Sequence, residues 1–219
     1  MAKLKAGILI SGRGSNMAAL IAATRTEDFP AEIALVVSNR ADAGGLALAR
    51  EAGVPTAVTS HRDYPDRESF DRAVSAELEG AGVDIVCLAG FMRIFSPWFP
   101  TRWPNRILNI HPSLLPSFKG LRVQQQAIDA NARVSGCTVH IVTSDLDDGP
   151  TVAQAAVPVL ATDDADTLAA RILATEHELY PLVLRWFAEG RVRLEPREGL
   201  PPRVVIQGVP PDATLLWRP

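Results

Sequence analysis

Ile8-Leu9-Ile10-Ser11-Gly12-Arg13-Gly14-Ser15-Asn16 is the stretch on which the fold turns. The apolar run from about Lys5 to Ile10 has the length and branching of a buried strand. Two glycines then let the backbone turn sharply and approach a ligand closely. A helical pattern from about Asn16 to Thr26 follows. Strand, glycine turn and helix together open a parallel β-α-β layer. The helix N-terminus offers free N–H groups and a partial positive charge to an anion. Ser15 and Asn16 are read as caps of that helix or as added donors. A dinucleotide fingerprint needs a third glycine, but position 17 is Met. It also prefers an acidic residue at the end of the second strand, which here reads Ser38-Asn39-Arg40. The loop therefore reads as a phosphate cradle rather than an NAD site.

The same alternation continues outward. Ile33 to Ser38 reads as a strand, about Gly45 to Ala52 as a helix, and Thr56 to Thr59 as a short strand. Arg67 to Ala81 is a helix with Phe70, Ala73, Val74 and Leu78 on one face. Val83 to Ala89 and Ile107 to Ile110 are strands. This repetition predicts an α/β fold, a doubly wound, mostly parallel sheet with helices on both faces. Beyond a Pro-rich loop, Pro112 to Gly120, come a helix from about Val123 to Asn131 and strands Thr138 to Thr143 and Val152 to Val159. A long amphipathic helix spans Asp164 to Ala188, with Thr162 or Asp163 as its expected cap. From Pro196 onward the chain is rich in Pro and Arg. Arg203 to Gln207 reads equally as an edge strand or as part of a loosely attached tail.

Bulk properties narrow the class. The 219 residues are 47% hydrophobic and 21% charged, enough for a sizeable core in one domain with a short appendage. A formal net charge of −3 argues against non-specific nucleic-acid binding. No apolar run reaches membrane-spanning length, and the first apolar stretch is too short for a secretory signal core. The two cysteines, Cys87 and Cys137, sit in strand contexts and read as reduced, buried thiols of a cytoplasmic protein.

Ile107-Leu108-Asn109-Ile110-His111-Pro112-Ser113-Leu114-Leu115-Pro116 carries the chemistry. Asn109 and His111 are two apart on a strand and project to one face. They stand at the C-terminal end of a parallel strand, where open α/β sheets place ligands. An amide and an imidazole side by side suit acyl transfer to an amine. The amide donates to the carbonyl oxygen as negative charge builds there, and a protonated imidazole donates or transfers a proton. A nearby carboxylate would raise the imidazole's pKa and orient it. The loop Thr143-Ser144-Asp145-Leu146-Asp147-Asp148-Gly149-Pro150 offers three, Asp145, Asp147 and Asp148, and leaves the choice open. No Gly-x-Ser-x-Gly elbow is present. His61, His111, His140 and His177 are far apart, so no metal site is expected, and His140 reads as a satisfied structural residue.

These segments together resemble the phosphoribosylglycinamide formyltransferases, folate-dependent enzymes of purine synthesis. The matching motifs are Ile10 to Asn16, Leu88-Ala89-Gly90-Phe91-Met92-Arg93-Ile94, Asn109 to Pro116, Thr138-Val139-His140 and Asp145 to Pro150, over about residues 5 to 190. The resemblance implies a formyltransferase fold with a Rossmann-like N-terminal half, in a single domain of residues 1–195. Residues 1 to about 105 would hold the nucleotide phosphate and about 106 to 195 the catalytic and folate elements, with 196–219 as a tail. It implies 10-formyltetrahydrofolate as co-substrate, a small ribonucleotide as acceptor, and a monomer or homodimer. Asn109, His111 and Asp147 match the catalytic trio, with His111 the proton donor. Gly14, Ser15 and Asn16 match the phosphate loop, and Glu176 a residue near the substrate ribose. Met92, Arg93, Ile94 and Phe95 match the folate pterin pocket. Thr143, Ser144, Asp145 and Leu146 would close its other side, and Arg67 matches a folate-binding arginine.

The chain departs from that pattern at Arg122 and Gln124, where relatives commonly carry histidines. Three other readings share parts of the pattern. A methionyl-tRNA formyltransferase carries a further C-terminal domain and a basic surface. A formyltetrahydrofolate deformylase carries an N-terminal regulatory domain, for which a first strand at about Lys5 leaves no room. A non-catalytic folate- or nucleotide-binding relative is the third.

Overall fold

The computed structural model describes residues 2–210 and 214–217. Ten strands and six helices follow in order: β1 (Leu4–Ile10), α1 (Ser15–Thr24), β2 (Ala31–Ser38), α2 (Gly45–Glu51), β3 (Thr56–Val58), α3 (Arg67–Gly80), β4 (Ile85–Leu88), α4 (Trp98–Arg102), β5 (Ile107–His111), α5 (Val123–Asp129), β6 (Val134–Ile141), β7 (Thr151–Pro158), α6 (Ala165–Ala188), β8 (Val192–Arg197), β9 (Leu200–Ile206) and β10 (Leu215–Trp217). Eight strands form one sheet in the order β10-β7-β6-β5-β4-β1-β2-β3, and β8 pairs with β9 alone. The pairs β1–β2, β1–β4, β2–β3, β4–β5 and β7–β10 are parallel, and β6–β7 is antiparallel.

The chain divides into two compact units. The first comprises Met1–Asn109 and Val142–Ser144. It winds outward from β1 to β3 and then returns to place β4 on the other side of β1. Right-handed crossovers in these two directions put helices on opposite faces, the doubly wound arrangement expected from the sequence. The direction reverses between β1 and β4, so the ligand crevice of such a sheet opens at the C-terminal ends of these strands. Its core joins Leu9, Val37 and Val86 of the sheet to Phe70, Val74 and Leu78 of α3 and to Phe99 of α4. The apolar spacing on α3 explains which face it buries. Asp66 caps α3 by accepting from Ser69 N at 2.7 Å.

The second unit comprises Ile110–Ile141 and Asp145–Pro219. Strand β6 begins four residues before the expected Thr138. Gly136, beside Cys137, lies in the β6–β7 pair opposite Ala156. A Cβ there would stand 1.9 Å from the Ala155 carbonyl oxygen, so the strands approach closely only with glycine at this position.

The cap of α6 is Asp164, not Thr162 or Asp163. Asp164 accepts from Thr167 N at 2.8 Å, and Thr167 Oγ1 accepts from Asp164 N at 2.9 Å, a reciprocal capping box. Asp163 instead forms a two-pronged ion pair with Arg171 at 2.6 and 2.8 Å. That hydrogen-bonded pairing lowers its carboxyl to about 2 from the ordinary 3.8. A folded-state pKa below the unfolded one adds stability above the unfolded value, and this is lost as pH falls through the folded value. Acid unfolding curves should therefore lose a component between about pH 4 and 2. Asp163→Asn should flatten that limb in thermal melts taken across the range.

Of the two readings of Arg203 to Gln207, the described residues show the strand, as far as Ile206. Pro196 lies within β8, the strand over Arg203 extends from Leu200 to Ile206 as the partner of β8, and β10 adds a parallel strand to β7. The Pro content obscured this hairpin, because Pro is read as a strand breaker away from edges.

Candidate functional site

In the first unit the loops at the switch point form a crevice of their own. Gly14, at φ 76°, makes the turn after β1 and occupies the N-cap of α1. A Cβ on it would also come within 2.9 Å of the Gly45 Cα. Ser15 and Asn16 are thus the first residues of the helix rather than its caps. Their backbone N–H groups belong to the first turn, which has no intrahelical acceptors.

Ser11 joins the two loops of the switch point, a role the sequence reading did not assign it. Its N–H donates to the Gly90 carbonyl at 3.2 Å. Its hydroxyl donates to Asn39 Oδ1 at 2.6 Å and accepts from Met92 N at 2.8 Å. The segment that follows has side chains of two kinds. Phe91 and Phe95 stack on each other at 5.4 Å, with Phe70 and Phe99 at the two ends of the row. Met92 and Ile94, by contrast, are 67% and 54% exposed. Apolar side chains held open beside a ligand crevice offer a surface to a flat, partly apolar ring. Arg93 is exposed on the same segment. Arg67, the first residue of α3, lines an open cavity of about 610 Å³ with Asp66, Glu68, Ser69, Arg72, Ser96 and Pro97. Thr143 is half-buried and Ser144 exposed.

Strand β5 carries Asn109 and His111, alternate residues whose side chains share a face. In the second unit His111 is buried, and its Nδ1 lies 3.6 Å from Asp147 Oδ2. Its Nε2 is 3.1 Å from the Phe118 carbonyl oxygen, which only accepts, so Nε2–H is the donor. Asp147 is buried too and accepts from Gly120 N at 3.2 Å. Of the three loop aspartates, Asp147 is therefore the one beside His111. Asp148 pairs with Lys119, while Asp145 and Leu146 are exposed.

His140 also belongs to this cluster, which its strand context concealed. Its Nε2 faces Asp147 Oδ1 at 3.9 Å, and its Nδ1 lies 3.3 Å from the Ile141 carbonyl. Burial lowers its pKa against the opposing pull of that carbonyl and Asp147, which favours the neutral ring.

The loop after His111 is fixed by a buried network. Thr138 Oγ1 donates to the Ser113 carbonyl at 2.7 Å and accepts from Leu115 N at 3.0 Å. Gln154 Nε2 donates to the Leu115 carbonyl at 2.9 Å. Phe118, Arg122 and Asp147 have left-handed φ values of 55°, 54° and 50°. Such residues cost about 1 kcal/mol or more each and persist where surroundings over-determine them. In the departing stretch Arg122 is exposed and Gln124 half-buried. Gln126 donates to the Leu121 and Lys119 carbonyls at 2.9 and 3.3 Å and so braces the loop.

Glu176 is buried on α6. Burial, reinforced by the Glu176 charge, pushes the Cys137 thiol up to about 12, so it is no nucleophile near neutrality. Both cysteines are free and buried. No described helix is long and apolar enough to cross a membrane.

An imidazole paired with a buried carboxylate, at the end of a parallel strand that also carries an amide, has the donors that a group transfer needs. The chain belongs to the formyl transferase family, whose model matches residues 4–184. It is similar to the phosphoribosylglycinamide formyltransferase of Escherichia coli (strain K12), 46% identical over 187 residues, 85% of this chain and 88% of that protein. It is also 48% identical over 192 residues to the trifunctional purine biosynthetic protein adenosine-3 of Bos taurus, covering 88% of this chain but only 19% of that longer protein. Among solved structures, glycinamide ribonucleotide transformylase 1 from Symbiobacterium toebii superposes with a TM-score of 0.89 at 49% identity, over 93% of this chain and 94% of that one.

Proposed function

We propose that this protein transfers the formyl group of 10-formyltetrahydrofolate to the amine of 5-phosphoribosylglycinamide in purine synthesis. The observation that carries the reading is the His111–Asp147 pair, 3.6 Å apart, with His111 two residues beyond Asn109 in a formyl transferase chain. The amine nitrogen attacks the formyl carbon, and negative charge builds on the formyl oxygen. Asn109 donates an amide hydrogen to that oxygen. His111 supplies a proton, and Asp147 holds the ring by its Nδ1 side. The amine loses a proton, the folate nitrogen gains one, and tetrahydrofolate leaves.

In this reading Gly14, Ser15 and Asn16 hold the phosphate at the α1 N-terminus and Glu176 faces the ribose. The folate ring is bound by Met92, Arg93, Ile94, Phe95, Thr143, Ser144, Asp145 and Leu146, and Arg67 attracts the negatively charged end of the folate. The exposed apolar side chains of Met92 and Ile94 suit a pterin, and Arg67 beside an open cavity suits a carboxylate. The nucleotide half would run to about residue 105 and the catalytic and folate half to about 195. The working protein would be a cytoplasmic monomer or homodimer.

The test is turnover with both substrates. Purified protein should form formylated nucleotide and tetrahydrofolate in equal amounts. Formate released at the same rate without the nucleotide would overturn the reading in favour of a hydrolase.

A further inference from the structure

The segment between β4 and α4 that carries Met92 to Phe95 has neither helix nor strand to hold it. Its shape depends on two anchors. One is Ser11, bonded to Gly90 and Met92 as described above. The other is Asp71 of α3, whose Oδ2 accepts from both Ser96 N at 2.6 Å and Ser96 Oγ at 2.7 Å.

Asp71 is an unusual choice for mere packing. Its side chain is fully buried, and its Oδ1 has no hydrogen-bond partner among the described residues. Burial pushes its carboxyl up, while the two Ser96 donors and the Arg67 charge, one helical turn earlier, act against that. A buried carboxylate left half-satisfied costs stability, so its retention calls for an explanation. Two donors converging on one oxygen fix both the position and the direction of the backbone at Ser96. Phe95 enters the aromatic row immediately before that point, 4.1 Å from Phe99. The exposed Ile94 is thereby held between a stacked ring and the clasp.

We propose that Asp71 and Ser96 are positioning residues that hold the Met92–Phe95 segment in the shape that receives the folate ring. Neither side chain needs to touch the ligand. This rests on the reading of Met92 to Phe95 as the folate-binding wall. Without the clasp, the segment samples other conformations, and apparent affinity falls by the fraction that remains competent.

The experiment separates folate binding from the rest of the reaction. Ser96→Ala should raise the KM for 10-formyltetrahydrofolate about tenfold, as expected if about a tenth of the segment stays competent. The KM for the nucleotide and kcat should stay within about twofold, because the clasp shapes only the folate wall. Asp71→Ala should do at least as much, and Asp71→Asn, which keeps an acceptor oxygen, should recover part of the loss. If Asp71→Ala fails to fold, Ser96→Ala and Asp71→Asn still decide. An unchanged folate KM in Ser96→Ala, or a fall in kcat and in both affinities together, overturns the clasp. Ile94→Asp in parallel tests the wall itself. If it weakens folate binding while Ser96→Ala does not, the clasp alone is wrong. If Ile94→Asp leaves folate binding intact, the wall is misplaced and the clasp falls with it.

Discussion

His111→Ala is expected to lower kcat about 10³-fold, the middle of the range for losing a positioned general acid. The geometry makes the effect chemical rather than architectural. The loop after His111 is held by Thr138, Gln154 and Ser113, none of which contacts the imidazole in the bonds described above. The Phe118 carbonyl loses its Nε2–H donor, but Ser113 Oγ still holds the Ser117 carbonyl at 2.7 Å. If the proposed phosphate and folate positions hold, both substrates should therefore bind nearly as before. The measurement is steady-state kinetics with both KM values, beside a calorimetric titration of each substrate. A fall in kcat of less than about tenfold would remove His111 as the main proton donor.

The sequence exposed the parts of this protein that depend on local periodicity. The strand–glycine–helix opening and the amphipathic α3 specify the doubly wound first unit, because each buried face repeats with the element's own period. It was weaker where tertiary contact decides. The strand expected from Thr138 starts four residues earlier, at Val134, because the close approach of Ala155 to Gly136 lets β6 and β7 pair there. The hairpin of β8 and β9 was hidden by Pro196, Pro201 and Pro202. Asp71 lies in no motif, and the motif that holds Ser11 does not show its role, since each acts through a partner 81 or 25 residues away. The choice among Asp145, Asp147 and Asp148 was likewise beyond local reasoning. Three carboxylates in four residues differ only in where a turn points them, and a left-handed φ of 50° at Asp147 is part of that turn.

That turn sets the terms of the second large effect. Asp147→Ala is expected to lower kcat by about 10², and Asp145→Ala to change it less than about threefold. Asp147 is buried, lies 3.6 Å from His111 Nδ1 and accepts the Gly120 N–H. Its removal takes away the restraint on the Nδ1 side of the imidazole and leaves an amide donor without its acceptor. Alanine also tolerates the left-handed backbone poorly, so loop disorder could mimic a loss of charge. Asp147→Asn separates the two, because asparagine adopts that conformation readily and its amide oxygen can still accept from Gly120 N. If the negative charge beside His111 is what matters, Asp147→Asn should lose nearly as much kcat as Asp147→Ala while keeping the wild-type melting temperature. If the carboxylate serves only to shape the loop, Asp147→Asn should recover most of the activity. Asp145 is exposed, so its truncation should leave the loop in place. A damaging Asp145→Ala beside a mild Asp147→Ala would mean that the catalytic carboxylate is not the one that lies against His111.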